Sequence, residues 1–202
     1  MAVRAVVFDI GNVLYDWNPR FLFEAMTNDS ALIERIMRDA VTHAWHLQHD
    51  AGRDFAETSA ELIAQHPDLE IYIKAFGARF DETIGGPMPD MLELVRALDA
   101  NKVPLFGITN FSHQFFPAFR AKHAKIFDRF ADIVVSGDEK LVKPDAAIYQ
   151  LALRRFGLVP GEAIFIDDRL ENVEAAEANG FVGHHFKDAD TLRAALKALN
   201  LI

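Results

Sequence analysis

Short apolar runs punctuate the chain at positions 4–8, 103–108, 133–135, 163–166 and 182–185. None alternates strictly between apolar and polar residues, which is the pattern of strands covered on both faces of a parallel sheet. Between most of them apolar positions recur at helical spacing, over 88–99, 114–122, 145–156, 170–178 and 191–199. Strands alternating with helices in this order predict an α/β fold built on a doubly wound parallel sheet. Local signals place several ends. Pro144 suits the first turn of the 145–156 helix, where a missing N–H costs nothing. Gly157 and Gly180 stand where helices close, and Asp188 and Asp190 offer caps to the last helix.

One stretch breaks the rhythm. Positions 17–85 carry helical patterning, clearest at Leu32, Ile33, Ile36 and Met37 and weaker over 55–64, but no strand pattern. A strand-to-helix connection normally needs only a few residues, so 17–85 is predicted as an inserted helical cap. The core is then 1–16 with 86–202, and Gly85-Gly86-Pro87 is the expected hinge of return.

Composition narrows the chemistry. The 202 residues hold 30 acids against 21 Lys plus Arg, a net charge of −9, so nucleic acid and anionic membrane are not expected partners. Cysteine is absent, which removes disulfides, thiol catalysis and thiolate zinc sites. No window approaches the roughly 18 apolar residues of a membrane span. The apolar run before Asp9 is too short for a signal-peptide core, and the expected address is cytoplasmic.

In an open α/β sheet, ligands bind beyond the carboxyl ends of the strands. The first strand ends in Asp9-Ile10-Gly11-Asn12 and the second in Thr109-Asn110; Lys143-Pro144 follows the third, and the fourth ends in Asp167-Asp168. Three carboxylates from two strand ends repel one another unless a cation holds them together. Oxygen ligands without Cys or an obvious His partner point to magnesium. With the Thr109 hydroxyl, amide N–H groups and the Lys143 ammonium to grip an anion, the set suits phosphoryl transfer through an aspartyl-phosphate.

At these residues the chain resembles the haloacid dehalogenase superfamily. Its four motifs occur in order from Phe8 to Asn172, and the inserted helices resemble that family's C1 cap. The resemblance implies that Asp9 is the nucleophile and a Mg2+ ligand, with the Gly11 carbonyl and Asp167 completing the protein's share of the metal shell. Thr109 and the Asn110 amide would hold the phosphoryl group of a small phosphorylated substrate, and Lys143 would neutralise it. Asp168, Asn12 and Asn172 would support the site.

One position departs from most phosphatases of that superfamily, which carry Asp two residues after the nucleophile to protonate the leaving group. Here it is Gly11. The Asp-x-Gly-Asn-Val start is similar to a glucose-1-phosphate phosphatase-like subgroup, whose leaving group needs little protonation. Alternatively, a flap or cap residue such as Asp16 or His46 supplies the proton. A metal-independent 2-haloacid dehalogenase using Asp9, with Arg20, Arg35 or Arg38 for its substrate's carboxylate, is a second enzyme reading; a silent anion-binding homologue is a third. The dehalogenase leaves the adjacent Asp167 and Asp168 facing Asp9 uncompensated, which is costly. In the insertion, His43, His46 and His49 recur every third residue. Trp17, Trp45 and His46 are candidates for the wall of a substrate pocket.

Overall fold

Five parallel strands form the centre of the computed structural model, which describes residues 2–202. The chain runs through β1 (Ala5–Phe8), β2 (Tyr15–Trp17), α1 (Arg20–Met26), α2 (Ser30–Arg35, prolonged by a π turn over Ile36–Ala40), α3 (His43–Asp50), α4 (Phe55–Gln65) and α5 (Glu70–Ala78). It continues through β3 (Ile84–Pro87), α6 (Met91–Ala100), β4 (Leu105–Thr109), α7 (Phe116–Lys122), α8 (Ala124–Phe127), β5 (Asp132–Val135) and α9 (Ser136–Glu139). It closes with α10 (Ala146–Phe156), β6 (Ala163–Asp167), α11 (Leu170–Ala178), β7 (Val182–His185) and α12 (Ala189–Ala198).

The main sheet has the order β5-β4-β1-β6-β7, with β1 paired in parallel to both β4 and β6. The chain winds outward from β1 to β5, then returns to the other side of β1. The order therefore reverses between β1 and β6, and their carboxyl ends open a crevice there. Alternate residues of these strands feed two apolar layers. Val6, Phe8, Leu105, Ile164 and Ile166 pack on one face, and Ala5, Val7, Phe106, Ile108, Ala163 and Phe165 on the other. Both layers are buried, which is why the sequence showed runs rather than alternation.

The expected chain ends hold at three places. Gly157 ends α10 with φ 65°, Gly180 follows α11 with φ 99°, and the Asp188 side chain accepts from the Thr191 N–H. Three expectations need correction. Pro144 lies outside α10, after a cis Lys143–Pro144 peptide, because Asp145 N–H turns back to the Val142 carbonyl. The helices expected from 88 and 114 begin later, at Met91 and Phe116. The Gly85-Gly86-Pro87 segment is part of β3, antiparallel to β2, rather than a free hinge. Two strands of three and four residues, one rich in glycine, leave no periodic trace in a sequence.

Between β2 and β3 the helices pack directly against the sheet's carboxyl end. Phe80 of this region stacks on Phe115 at 4.4 Å and meets Phe111 at 5.5 Å, and Phe55 meets Phe115 at 5.4 Å. Polar contacts add to this seam. Gln114 accepts from the Phe55 N–H at 2.7 Å and donates to Asp54 at 2.8 Å, while Asp54 caps α4.

Candidate active site

Asp9 follows β1, and its N–H donates to the Ile166 carbonyl, so the β1–β6 ladder carries its side chain into the crevice. Asp167 ends β6 with no exposure. Lys143 reaches between them from the loop before α10, with Nζ 2.8 Å from Asp9 Oδ1 and 2.7 Å from Asp167 Oδ2. Two hydrogen bonds from Asn110 hold the Lys143 backbone: Asn110 Oδ1 accepts from Lys143 N–H, and Asn110 Nδ2 donates to its carbonyl. Asn172 Nδ2 donates to both Asp167 oxygens, at 3.0 and 3.1 Å, and Tyr149 donates to the Asn172 carbonyl. Asn12, at φ 56°, accepts from the Trp17 N–H and so turns the chain from β1 into β2.

Carboxylate oxygens of Asp9, Asp167 and Asp168 lie within 4.8 Å of one another. One buried ammonium faces three carboxylates, so the cluster stays anionic without a further cation. The electrostatics carry the same message. Burial raises the Asp9 carboxyl well above its usual range, with Asp167 and Asp168 adding to the rise and Lys143 opposing it. Burial and Asp167 likewise raise Asp168. Burial pulls Lys143 down, but the two carboxylates outweigh it and its net shift is upward. A divalent cation satisfies this donor set of oxygens and reverses the carboxylate shifts.

The cluster floors a cavity of about 290 Å³. Gly11, Asn12, Asn110, Asp168 and Asn172 line it, and so do Trp17 and His46, whose rings stack at 4.8 Å. Thr109 closes β4, buried one residue short of the wall. Two expectations fail. Trp45 lies outside the wall: its Nε1 donates to the Thr58 carbonyl and its ring packs on Phe55, Phe76 and His49. Asp16 does not reach the cavity, because its carboxylate lies beside Gly85 in the β2–β3 pair. The Arg169 N–H turns to Asp167 Oδ1.

Several wall residues were missed, and Asp50 is the one carboxylate among them. Thr42 caps α3 by accepting from the Trp45 N–H, which sets the helix so that His43, His46, Leu47 and Asp50 line the cavity. These lie at i, i+3, i+4 and i+7, one face of a helix. The three-residue spacing of the histidines drew attention to His49, which instead turns inward, with Nε2 2.6 Å from Thr58 Oγ1. Asp50 is 4% exposed, with Oδ2 3.4 Å from His46 Nε2 and Oδ1 without a partner among the described residues. Burial first, then the Asp9 charge, pushes its carboxyl up to about 7, against the pull of Lys143. Burial and the neighbouring His49 and His43 push His46 down to about 3.

A family model of haloacid dehalogenase-like hydrolases matches residues 3–180. A sesquiterpene phosphatase of Aspergillus oryzae is 31% identical over 92% of this chain and 91% of its own. A phosphorylated carbohydrates phosphatase of Thermotoga maritima is 35% identical over 96% and 91% respectively. Among solved structures, a HAD family enzyme of Bacteroides thetaiotaomicron, in complex with magnesium and inorganic phosphate, superposes with a TM-score of 0.70 at 19% identity, covering 93% of this chain and 96% of that one. Dehalogenases share the fold as well.

Proposed function

The chain belongs to the haloacid dehalogenase-like hydrolases, and from that premise we propose that it is a magnesium-dependent phosphatase acting on a phosphomonoester with an apolar body. The observation that carries this reading is the converging trio of Asp9, Asp167 and Asp168 around a single ammonium. A metal-free dehalogenase has no use for Asp167 and Asp168 as a pair and leaves their repulsion uncompensated.

Asp9, Asp167 and the Gly11 carbonyl would hold Mg2+, which when bound supplies charge neutralisation at the phosphoryl oxygens. Asp9 is the nucleophile. Its carboxylate forms a bond to phosphorus as the ester oxygen departs, and water then hydrolyses the aspartyl-phosphate. Lys143, fixed by Asp9, Asp167 and the Asn110 carboxamide, stays charged and draws the phosphate dianion toward Asp9. Asn172 holds both Asp167 oxygens and so fixes that carboxylate's orientation.

The body of the substrate is read from the wall above the phosphate. Ile10, Trp17, Leu47, Phe80, Ile84 and Phe111 line it, an apolar and aromatic surface. A sugar hydroxyl turned toward these side chains loses its partners, at a cost of about 1–3 kcal/mol. A prenyl or alkyl chain gains from the same burial. The sesquiterpene phosphatase among the relatives agrees with that chemistry, whereas the carbohydrate phosphatase relative favours the sugar.

The test is phosphate release from geranyl monophosphate and from glucose 1-phosphate, each with magnesium and with excess chelator. The expected result is turnover of the prenyl ester at higher kcat/KM, abolished by chelator. Halide release from a 2-chloro acid in chelator, without phosphatase activity, would overturn the reading.

A further inference from the structure

Breaking an alkyl phosphate expels an alkoxide unless a proton arrives with the departure, so the cavity needs an acid near the ester oxygen. At its floor Asp9 is the nucleophile, and Asp168 belongs to the carboxylate trio that a cation would bridge. Lys143 is pinned between two carboxylates, and Asp167 is held by Lys143, Asn172 and the Arg169 N–H. Position 11 has no side chain, although a Cβ there would meet nothing nearer than Trp17 Cβ at 4.0 Å. The acid must therefore come from the opposite wall.

Five titratable side chains line the rest of the cavity; Tyr15 packs against Phe119, His123 and Phe127, and burial pushes its phenol up to about 12, too weak an acid at neutral pH. The His43 Nε2 is shared with Arg169 Nη1 at 3.1 Å. Arg169 is a permanent cation and does not give up a proton. His46 is buried, stacked on Trp17 and held neutral, and a neutral imidazole is a poor acid. Asp50 remains. It ends α3, and the turn after it is fixed by Gly52, whose φ of 89° and 2.8 Å clearance from the Gly137 carbonyl admit no side chain. His46 Nε2 lies 3.4 Å from one oxygen, the other is buried without a partner among the described residues, and the residue lines the cavity.

We propose that Asp50 is the general acid and base of this enzyme, delivered from the helical insertion in place of a group at position 11. This rests on the phosphatase reading above. In the first step the Asp9 carboxylate bonds to phosphorus, the phosphorus–ester oxygen bond breaks, and the Asp50 proton passes to that oxygen, releasing the alcohol. In the second step water bonds to phosphorus, its proton returns to Asp50, and the bond from phosphorus to Asp9 breaks, freeing phosphate. Burial raises the carboxyl to about 7, so that near neutral pH both its acid form, for the first step, and its base form, for the second, are populated.

The test compares an alkyl monophosphate with p-nitrophenyl phosphate, whose leaving group needs no proton, in Asp50→Asn and Asp50→Ser with magnesium present. The expected result is a fall in kcat/KM, which reports formation of the aspartyl-phosphate, of about 10²- to 10⁴-fold for the alkyl ester and less than tenfold for the aryl ester. Turnover of the aryl ester in the same sample shows that the variant is folded. Equal losses of kcat/KM on both esters, or an undiminished alkyl kcat/KM, would overturn the assignment while leaving the phosphatase reading intact. The unsubstituted protein gives a second reading: its rates across a series of esters should depend weakly on leaving-group pKa, and a steep dependence would likewise overturn the proposal. No phosphate release from any ester would sink the phosphatase reading itself, and Asp50's role with it.

Discussion

Lys143 is the residue on which the site's stability turns. Its ammonium is buried between Asp9 and Asp167, and each carboxylate depends on it for compensation. Replacing it by methionine keeps the stem and its packing near the Phe165 ring but leaves two buried carboxylates unpaired. Removing one partner of a buried ion pair costs about 3–5 kcal/mol, so Lys143→Met should lower the urea midpoint sharply. Asp9→Asn makes the opposite bargain. It deletes one of the repelling charges, leaves Asp167 to pair Lys143, and should abolish phosphate release while the thermal midpoint stays at or above that of the parent. A concurrent loss of folding would show that Asp9 is needed for architecture rather than for chemistry. Asp50 gives a pH signature. Its carboxyl sits at about 7 in the folded protein against 3.8 for an ordinary aspartate. Between those values the folded state holds a proton that the unfolded state has lost, so stability falls as pH rises through this window. Asp50→Asn removes that slope. In metal-free buffer it should gain up to about 4 kcal/mol over the parent at pH 8 and almost nothing at pH 4, read from denaturation midpoints at both pH values.

At the scale of elements, the insertion is tied to the sheet through aromatic rings, and Phe55 is the hub of that seam. Its ring meets Trp45, Phe76 and Phe115, and its neighbour across the helix pair is Gly77 of α5. A Cβ at Gly77 would fall 2.2 Å from the Phe55 ring. Helix propensity alone says that Gly77→Ala stabilises α5 by about 1 kcal/mol. Overpacking costs about 1–3 kcal/mol and should win, so the variant should melt below the parent. A higher midpoint would mean that the seam is slack. The same elements show what the sequence could and could not disclose. β1, β4 and β6 were readable because burial on both faces makes each an unbroken apolar run, and Asp9, Thr109 and Asp167 were readable because they terminate those runs. β2 and β3 were not, since Tyr15–Trp17 and Ile84–Pro87 are too short and too rich in glycine for periodicity. Asp50 escaped for another reason. The cavity face of α3 mixes His43, His46, Leu47 and Asp50, so no hydropathy contrast marks it, and only the i, i+3, i+4, i+7 spacing from His43 points to it.

For the whole molecule, the net charge of −9 divides into two populations. Many acids sit in exposed pairs such as Arg53–Glu61 and Arg79–Glu82, which contribute little to stability and are screened by salt. Asp9, Asp167 and Asp168 differ because the sheet topology forces them together out of water. The protein's overall field opposes an anionic substrate, but beyond a Debye length of about 8 Å at physiological salt that opposition is screened. Within the crevice the local balance decides, and a divalent cation beside Lys143 makes it favourable. Folding thus places three carboxylates where only a cation removes their mutual cost, and the cation should in turn stabilise the fold. At a hundredfold excess over its dissociation constant, Mg2+ should add about 2.7 kcal/mol. At about 2–4 °C per kcal/mol for a chain of this size, the thermal midpoint should rise by about 5–10 °C. Sodium at equal ionic strength should give little of this rise, because it screens the surface pairs without bridging the trio. Asp167→Asn should lose most of the magnesium response while keeping its response to sodium. A midpoint that rises equally with both salts would assign the effect to general screening and remove the case for a bound cation.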